Sequence, residues 1–426
     1  MRKKNIFILG LDDFNLQMLN KLPGADQYNF IGLIDIHKMI SSGRYYLEDM
    51  LNLAQHELDN FKEPIDAIVG YTDFPVSTMV PILCERYGVP GPSLESVIKC
   101  EHKYWSRLEQ YKSVPEYIPD FHKFNPFADD PLAEIPLQFP FWVKPVKSTA
   151  SQLGFRINNK KDFQDAIEVI RRKIGQFRPF DFLMNSLQLP EEIADVNSSF
   201  CVAEQIIGGR QCTLEGYAHN GKIRTYGIVD SIRDANRTTF SRYQYPSSLP
   251  KNVQKKMAEI TEKTISYAGF DNSAFNVEFY WNEKDNKIWL LEINTRIPQS
   301  HSDLFDKVDG FSNHYYMIKA ALGEDPGLPK GKGEFNIAGK FFLREYKDKL
   351  ITAVPSREDL VNLNYNLPGT LVDFQGQAGM KLSEIPEQDS YSYAIAFIYL
   401  GAENQKALRE KYKEVIKSMK IEYRDI

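Results

Sequence analysis

Disulfide and cysteine-metal chemistry are the first classes to fall. The chain of 426 residues has four cysteines, Cys84, Cys100, Cys201 and Cys212, with no C-x-x-C pair and no zinc-type spacing. Reduced structural thiols in a cytoplasmic setting are therefore expected. No HExxH motif, internal repeat or low-complexity tract occurs. Apolar runs of the ~18 residues needed to cross a membrane are also missing. The N-terminal MRKKNIFILGLDD starts basic, but its apolar run stops at Asp12, too short for the apolar core of a secretory signal. A basic excess is lacking as well. With net charge −5 and pI near 5.9, nothing is left to neutralise nucleic-acid phosphates or an anionic membrane, so neither partner is expected. What the chain does have, 42% hydrophobic and 13% aromatic residues, suffices for the cores of two or three compact units.

Glycine is scarce where a dinucleotide would need it. NIFILG reads as a buried strand followed by the turn GLDDFN and a helical pattern, and NFIGLIDI and PIDAIVGYTDF as further strands, which together predict a βαβ unit with a parallel sheet. That turn has one glycine where the dinucleotide fingerprint has three, and two aspartates where pyrophosphate would lie. Nicotinamide binding is therefore rejected, although Asp35 falls near the ribose-binding distance. YGVPGPS marks a boundary near Pro92, and Ser93 is placed to cap one continuous helix LESVIKCEHKYWSRLEQY carrying Lys99, Lys103 and Arg107. Residues 121–140 read as an irregular connector, and SIRDANRTTFSRYQYPSSLP as a loop with Arg233, Arg237 and Arg242. Such a loop is either solvated or brings one arginine to a phosphoryl group. PKGKGE, near Lys330, marks a second boundary.

Carboxylates appear where a core should be. Asn276–Arg296, NVEFYWNEKDNKIWLLEINTR, reads as two strands joined by a polar turn. Strict alternation puts Ile288, Leu290, Glu292, Asn294 and Arg296 on one face and Trp289, Leu291 and Ile293 on the other, with Glu278 on the partner strand. Carboxylates in such strands need compensation. A hard divalent ion on Glu278, Glu292 and the Asn294 amide oxygen would compensate them, and magnesium with so few protein ligands completes its shell from water and nucleotide phosphates. The same residues also fit a solvated hairpin face with a Glu–Arg pair. Upstream, FWVKP carries a lysine inside an apolar strand, and VKSTASQLG is a small, hydroxyl-rich run. Converging backbone N–H groups and a lysine point charge make a phosphate cradle, though not a Walker A loop.

An acid on one strand followed by Glu292-Ile293-Asn294-Thr295-Arg296 on the next resembles the metal end of the ATP-grasp superfamily, in the manner of its carboxylate–amine (amino-acid) ligases. VKP with its serine loop, the HKYWSR helix, and VAEQIIGGRQCTLEG are similar to that family's other motifs in the same order, over residues 95–325. The resemblance implies mixed α/β and α+β architecture: an N-terminal Rossmann-like, pre-ATP-grasp domain at 1–92, an ATP-grasp domain at 93–330 with a lid about 140–205, and a small C-terminal α+β unit at 331–426. It implies ATP and Mg²⁺ (or Mn²⁺) as cofactors, with Lys103 and Lys144 on the phosphates and Arg107 as a further candidate. Ser148, Ser151 and Gly154 would lie in the flap, Glu204, Gln205 and Ile207 around the adenine, and Glu215 on the strand running towards the metal end. As bare residues, Glu204 fits a solvent-facing strand position equally well. Arg296 would hold the substrate carboxylate and then its acyl phosphate. The implied activity is ADP-forming ligation of a small-molecule carboxylate to an amine, with amino acids suggested as substrates and a homodimer compatible with it. Carboxylation, small-molecule phosphorylation and a non-catalytic nucleotide-binding role are the alternatives; nothing marks a biotin carrier.

Overall fold

In the computed structural model, residues 2–35, 47–149, 152–234, 239–329, 331–386 and 392–426 are described. Ser151, Arg237 and Lys330 lie outside them.

Strands β1 (Lys4–Leu9), β2 (Tyr28–Leu33) and β3 (Ala67–Gly70) pair in parallel in the order β2-β1-β3. Their near-continuous apolar runs suit strands covered on both faces. A second sheet, of order β4-β7-β5-β6, combines β4 (Phe121–Phe124), β5 (Phe141–Pro145), β6 (Phe155–Ile157) and β7 (Cys201–Gln205). The helix Lys160–Lys173 packs Phe163, Ile167 and Ile170 beneath it. Residues 121–140 were expected to be irregular, yet Phe121–Phe124 forms the β4 edge of this sheet. Four residues with two aromatics carry too little periodicity to declare a strand.

The third sheet spans most of the chain. β8 (Arg210–His219) and β9 (Lys222–Arg233) form a hairpin whose turn has Asn220 and Gly221 at φ 49° and 73°, the left-handed pair that such a two-residue turn demands. β10 (Phe240–Tyr245), β11 (Ser273–Asn282), β12 (Lys287–Asn294) and β13 (Ile337–Glu345) join it. Beyond a short strand β14 (Lys349–Ala353), β15 (Thr370–Phe374) and β16 (Tyr393–Ala402) complete the order β12-β11-β8-β9-β10-β13-β16-β15. β14 pairs separately with β17 (Glu422–Asp425). Phe240–Tyr245, expected to be loop, is a strand between β9 and β13. β13, β15 and β16 extend the central sheet. One face of this sheet is sealed by the helix Lys251–Ala268, with Val253, Met257 and Ile260 against Leu214, Val277 and Phe279. The other face carries apolar residues such as Tyr217 and Val229 packed by residues 302–321, and polar side chains beside them.

The expected single helix after Ser93 is two. Leu94–Glu101, capped by Ser93, ends at His102, which caps Lys103–Ser113 by accepting from the Trp105 N–H at 3.1 Å. At that break the Lys103 N–H reaches the Val146 carbonyl at 2.7 Å, so the lysine stripe imagined on one helix is interrupted where it matters.

Candidate active site

The β11–β12 hairpin departs from strict alternation. Glu278 stands opposite Glu292, but Phe279 pairs with Leu290, so Leu291 is an extra residue in a β-bulge. Bulges re-aim the side chains beyond them. Ile288 and Leu290 are buried in the helix-covered core, whereas Glu292 and Asn294 fall on the polar face with Glu278. This corrects the reading that put all four on one side. Without the bulge, either Leu290 or Glu292 would sit on the wrong face.

Glu292 accepts no hydrogen bond or ion pair among the described residues, and Glu278 accepts only the Gln211 amide at 2.9 Å. Burial, followed by the charge of Glu292, pushes the Glu278 carboxyl up to about 7. The Asn276 amide donates to the Arg296 carbonyl at 2.8 Å, so its oxygen must accept from Asn294 Nδ2, at 3.0 Å. That chain of bonds turns the Asn294 oxygen away from protein donors. Two carboxylates and an amide oxygen with spare lone pairs on one face suit a hard cation. No three His, Cys, Asp or Glu side chains among the described residues converge as a metal site.

Cations gather nearby. Lys103 donates to the Ser148 carbonyl at 2.7 Å. Burial pulls its ammonium down to about 8 against the opposing charge of Glu292, with Lys144 and Lys147 adding repulsion. Lys144, on β5, pairs with Glu204 at 2.8 Å. Lys147, which the sequence reading passed over, pairs with Glu101 and lies over the rings of Phe74 and Phe180 at 5.0 and 4.9 Å. Its signal was available as the second lysine of V-K-P-V-K.

Three residues expected near the nucleotide are held by protein partners. Arg107 is no phosphate ligand: it is 2% exposed and binds Glu204 at 2.8 Å, Gln110, and the carbonyls of Leu290 and Leu291. It holds the bulge in place. Glu204 is buried between Arg107 and Lys144; burial alone would raise its carboxyl, but these two cations hold it at about 2. Each oxygen accepts one cationic donor, which leaves further lone pairs on both. Glu215, wholly buried on β8, accepts from His301 at 2.8 Å, Asn313 at 2.9 Å and Tyr226 at 3.0 Å. It pins the segment after the hairpin to the sheet.

Gln205 and Ile207 lie where β7 of the four-stranded sheet crosses to β8 of the central one; Gln205 is exposed and Ile207 half-buried. Ser148 and Gly154 flank the β5–β6 connection. Arg296 forms a bidentate pair with Asp73 at 2.8 and 2.7 Å. Asp73 was not singled out, though it follows β3 at the carboxyl edge of a parallel sheet, where ligand crevices form. Of the three loop arginines, Arg233 reaches Gln211 at 2.9 Å and so adjoins Glu278. Arg242 instead lies over Phe341, a residue of the core beneath the helix Gln405–Ser418. All four cysteines are buried and unpaired.

Residues 137–302 match the family model of the ATP-grasp domain, and the sheets, the linker from β7 to β8 and the β11–β12 hairpin belong to an ATP-grasp fold. Among solved structures, L-amino acid ligase from Bacillus licheniformis superposes with a TM-score of 0.73 at 16% identity, covering 100% of both chains. The ADP complex of purK, N5-carboxyaminoimidazole ribonucleotide synthetase, gives 0.66 at 13% identity over 98% of this chain and 97% of that one. Biotin carboxylase from Campylobacter jejuni gives 0.65 at 14% over 99% and 92%. These likenesses are of fold. In sequence, the uncharacterized protein y4rH of Sinorhizobium fredii is 23% identical over 325 residues, 72% of this chain and 62% of its own length. Urea amidolyase of Saccharomyces cerevisiae is 21% identical over 264 residues, 59% of this chain and 13% of its own. The matched stretches thus span under two thirds of either relative. No helix among the described residues is long and apolar enough to cross a membrane.

Proposed function

We propose that this chain is an ATP-dependent ligase that joins a carboxylate to an amine through an acyl phosphate, releasing ADP and phosphate. The observation that carries the reading is the set of unsatisfied oxygens of Glu292, Glu278 and Asn294 on the sheet face nearest to Lys103, itself drawn by the charge of Glu292. Lys103, Lys144 and Lys147 concentrate positive charge where the transferred phosphoryl group gains negative charge, and positioning with electrostatics is most of what phosphoryl transfer needs. A magnesium or manganese ion held by Glu278, Glu292 and the Asn294 oxygen would supply Lewis-acid neutralisation of phosphate charge. Adenine would lie against the linker of residues 205–207, its amino edge read by backbone groups and by the lone pairs left on Glu204. Glu204 also fixes Lys144 at the end of its strand. Arg296, oriented by Asp73, receives the substrate carboxylate through Nη1, whose one hydrogen bond among the described residues is to the Ile297 carbonyl at 3.3 Å. Closure of the β5–β6 flap keeps water from the acyl phosphate.

Glu292→Ala should lower substrate-dependent ADP release by about 10²–10³-fold while leaving the unfolding transition nearly unchanged, because no protein partner is lost. Undiminished turnover would sink the assignment. Mass spectrometry of the product separates the alternatives: an amide supports ligation, and a carboxylated or phosphorylated product replaces it.

A further inference from the structure

The polar face of the central sheet continues past the metal hairpin to a lysine with nothing to bind. Lys340, on β13, is 6% exposed. Its ammonium lies over the rings of Phe397 at 4.2 Å, Tyr399 at 5.2 Å and Phe342 at 5.5 Å, and it makes no hydrogen bond or ion pair among the described residues. An ammonium has three donors to satisfy. Burying it with none satisfied is costly, and the aromatic faces offset only part of that cost. Burial has pulled it down to about 8, with Asp373 and Asp303 opposing from a distance. Asp303, whose other oxygen binds Lys307, keeps Oδ2 buried and unpartnered. Phe342 and Phe397 are only half-buried and Asp373, opposite Phe397 on the edge strand β15, is exposed, so the cage has an open side.

Register ties the cage to the site. Lys340 stands opposite Tyr243 of β10, and Tyr243 opposite Ser231 of β9. The Tyr243 ring meets Phe342 at 5.1 Å and His301 at 4.8 Å, while its hydroxyl lies within the fields of Glu278, Arg233 and Arg296. β13 is four strands from β11, about 19 Å along the sheet at the usual strand spacing. Lys340 therefore stands too far from the metal hairpin to meet the carboxylate that is phosphorylated.

We propose that Lys340, in its cage of Phe342, Phe397 and Tyr399, binds the non-reacting carboxylate of a substrate, which makes that substrate an amino acid on the amine side or a dicarboxylate on the acid side. The unsatisfied ammonium is then the receptor for the far end of a molecule whose body lies along Tyr243 and His301. The inference rests on the ligase reading.

Binding to the full chain by calorimetry, without nucleotide, tests it with probe pairs differing by one carboxylate: L-phenylalanine against phenethylamine, and glutarate against butyrate. In one of these pairs the more carboxylated member should bind at least tenfold more tightly, and the pair that responds identifies the source. Lys340→Met should abolish that difference and leave the other member's affinity unchanged. Its melting temperature should hold or rise, since a buried unpaired charge is removed. Persistence of the difference in Lys340→Met, or its absence from the wild-type chain in both pairs, overturns the proposal. Should the variant not fold, protection of Lys340 from trinitrobenzenesulfonate by the tighter probe, mapped by peptide mass spectrometry, decides in its place, and no protection counts against the proposal. Loss of the ligase reading would register separately, as absent ADP release with this binding intact.

Discussion

Glu278 and Glu292 face each other across a strand pair with one amide between them to donate. Burial and the charge of Glu292 lift Glu278 from an ordinary 4.5 to about 7, so folding favours its protonated form. The stabilising contribution is full below pH 4.5, declines as pH rises, and is gone once the folded carboxyl ionises above about 7. Without divalent metal, the chain should therefore lose on the order of 1–3 kcal/mol from this group between pH 4.5 and 7.5. Glu278→Gln should flatten that slope, and millimolar magnesium with nucleotide should reverse it by binding the ionised pair. Thermal melts of both proteins across that pH range check this; identical pH profiles would show that the carboxyl is not held protonated by the fold.

At the scale of the element, the bulge at Leu291 decides which face Glu292 occupies, and nothing in KIWLLEIN announces it. The alternation of apolar residues was legible, so the hairpin was found, but an inserted residue shifts the pattern without changing its composition. The same holds for the helix break at His102: LESVIKCEHKYWSRLEQY is periodic throughout, and only the pull of Val146 on the Lys103 N–H explains the stop. Glu204 and Glu215 were singled out through the family resemblance, and Glu204 fitted a solvent-facing position equally well; their partners Arg107 and His301 lie 97 and 86 residues away, a separation that sequence patterns do not bridge. The glycines of the linker after β7 were clearer. Gly209 has φ 138°, and a Cβ there would lie 2.3 Å from the Trp281 carbonyl oxygen, whereas a Cβ on Gly208 meets nothing within 4 Å. Gly209→Ala should thus cost about 1–3 kcal/mol and weaken ATP binding by displacing the linker from the end of β11. Gly208→Ala should stay within about 0.5 kcal/mol. Denaturant unfolding and nucleotide titration of the two variants make the comparison; equal behaviour would mean the linker tolerates movement.

Across the whole molecule, the N-terminal parallel sheet meets the metal hairpin through Asp73 and Arg296. Asp73 follows β3, and Arg296 follows β12, so this bidentate pair joins residues 223 positions apart. Burial would raise the Asp73 carboxyl, but the charge and hydrogen bonds of Arg296 hold it below 3.8. Its contribution to stability is accordingly present above pH 3.8 and lost as pH falls through the lowered folded value. The Asp73 side chain is 38% exposed, which limits the pair to about 1 kcal/mol of coupling. A double-mutant cycle of Asp73→Ala and Arg296→Ala, read by denaturant unfolding at pH 7, should return that coupling, and the coupling should shrink as pH falls progressively below 3.8. Catalysis should respond far more than stability does. Freed of Asp73, the guanidinium loses its aim, so Asp73→Ala should raise KM for the carboxylate substrate about tenfold, the loss of one charge-assisted contact, with ATP affinity unchanged. If Asp73→Ala instead leaves that KM untouched while coupling in stability is measured, the pair only fastens the N-terminal sheet to the hairpin, and Arg296 needs no partner to hold its substrate.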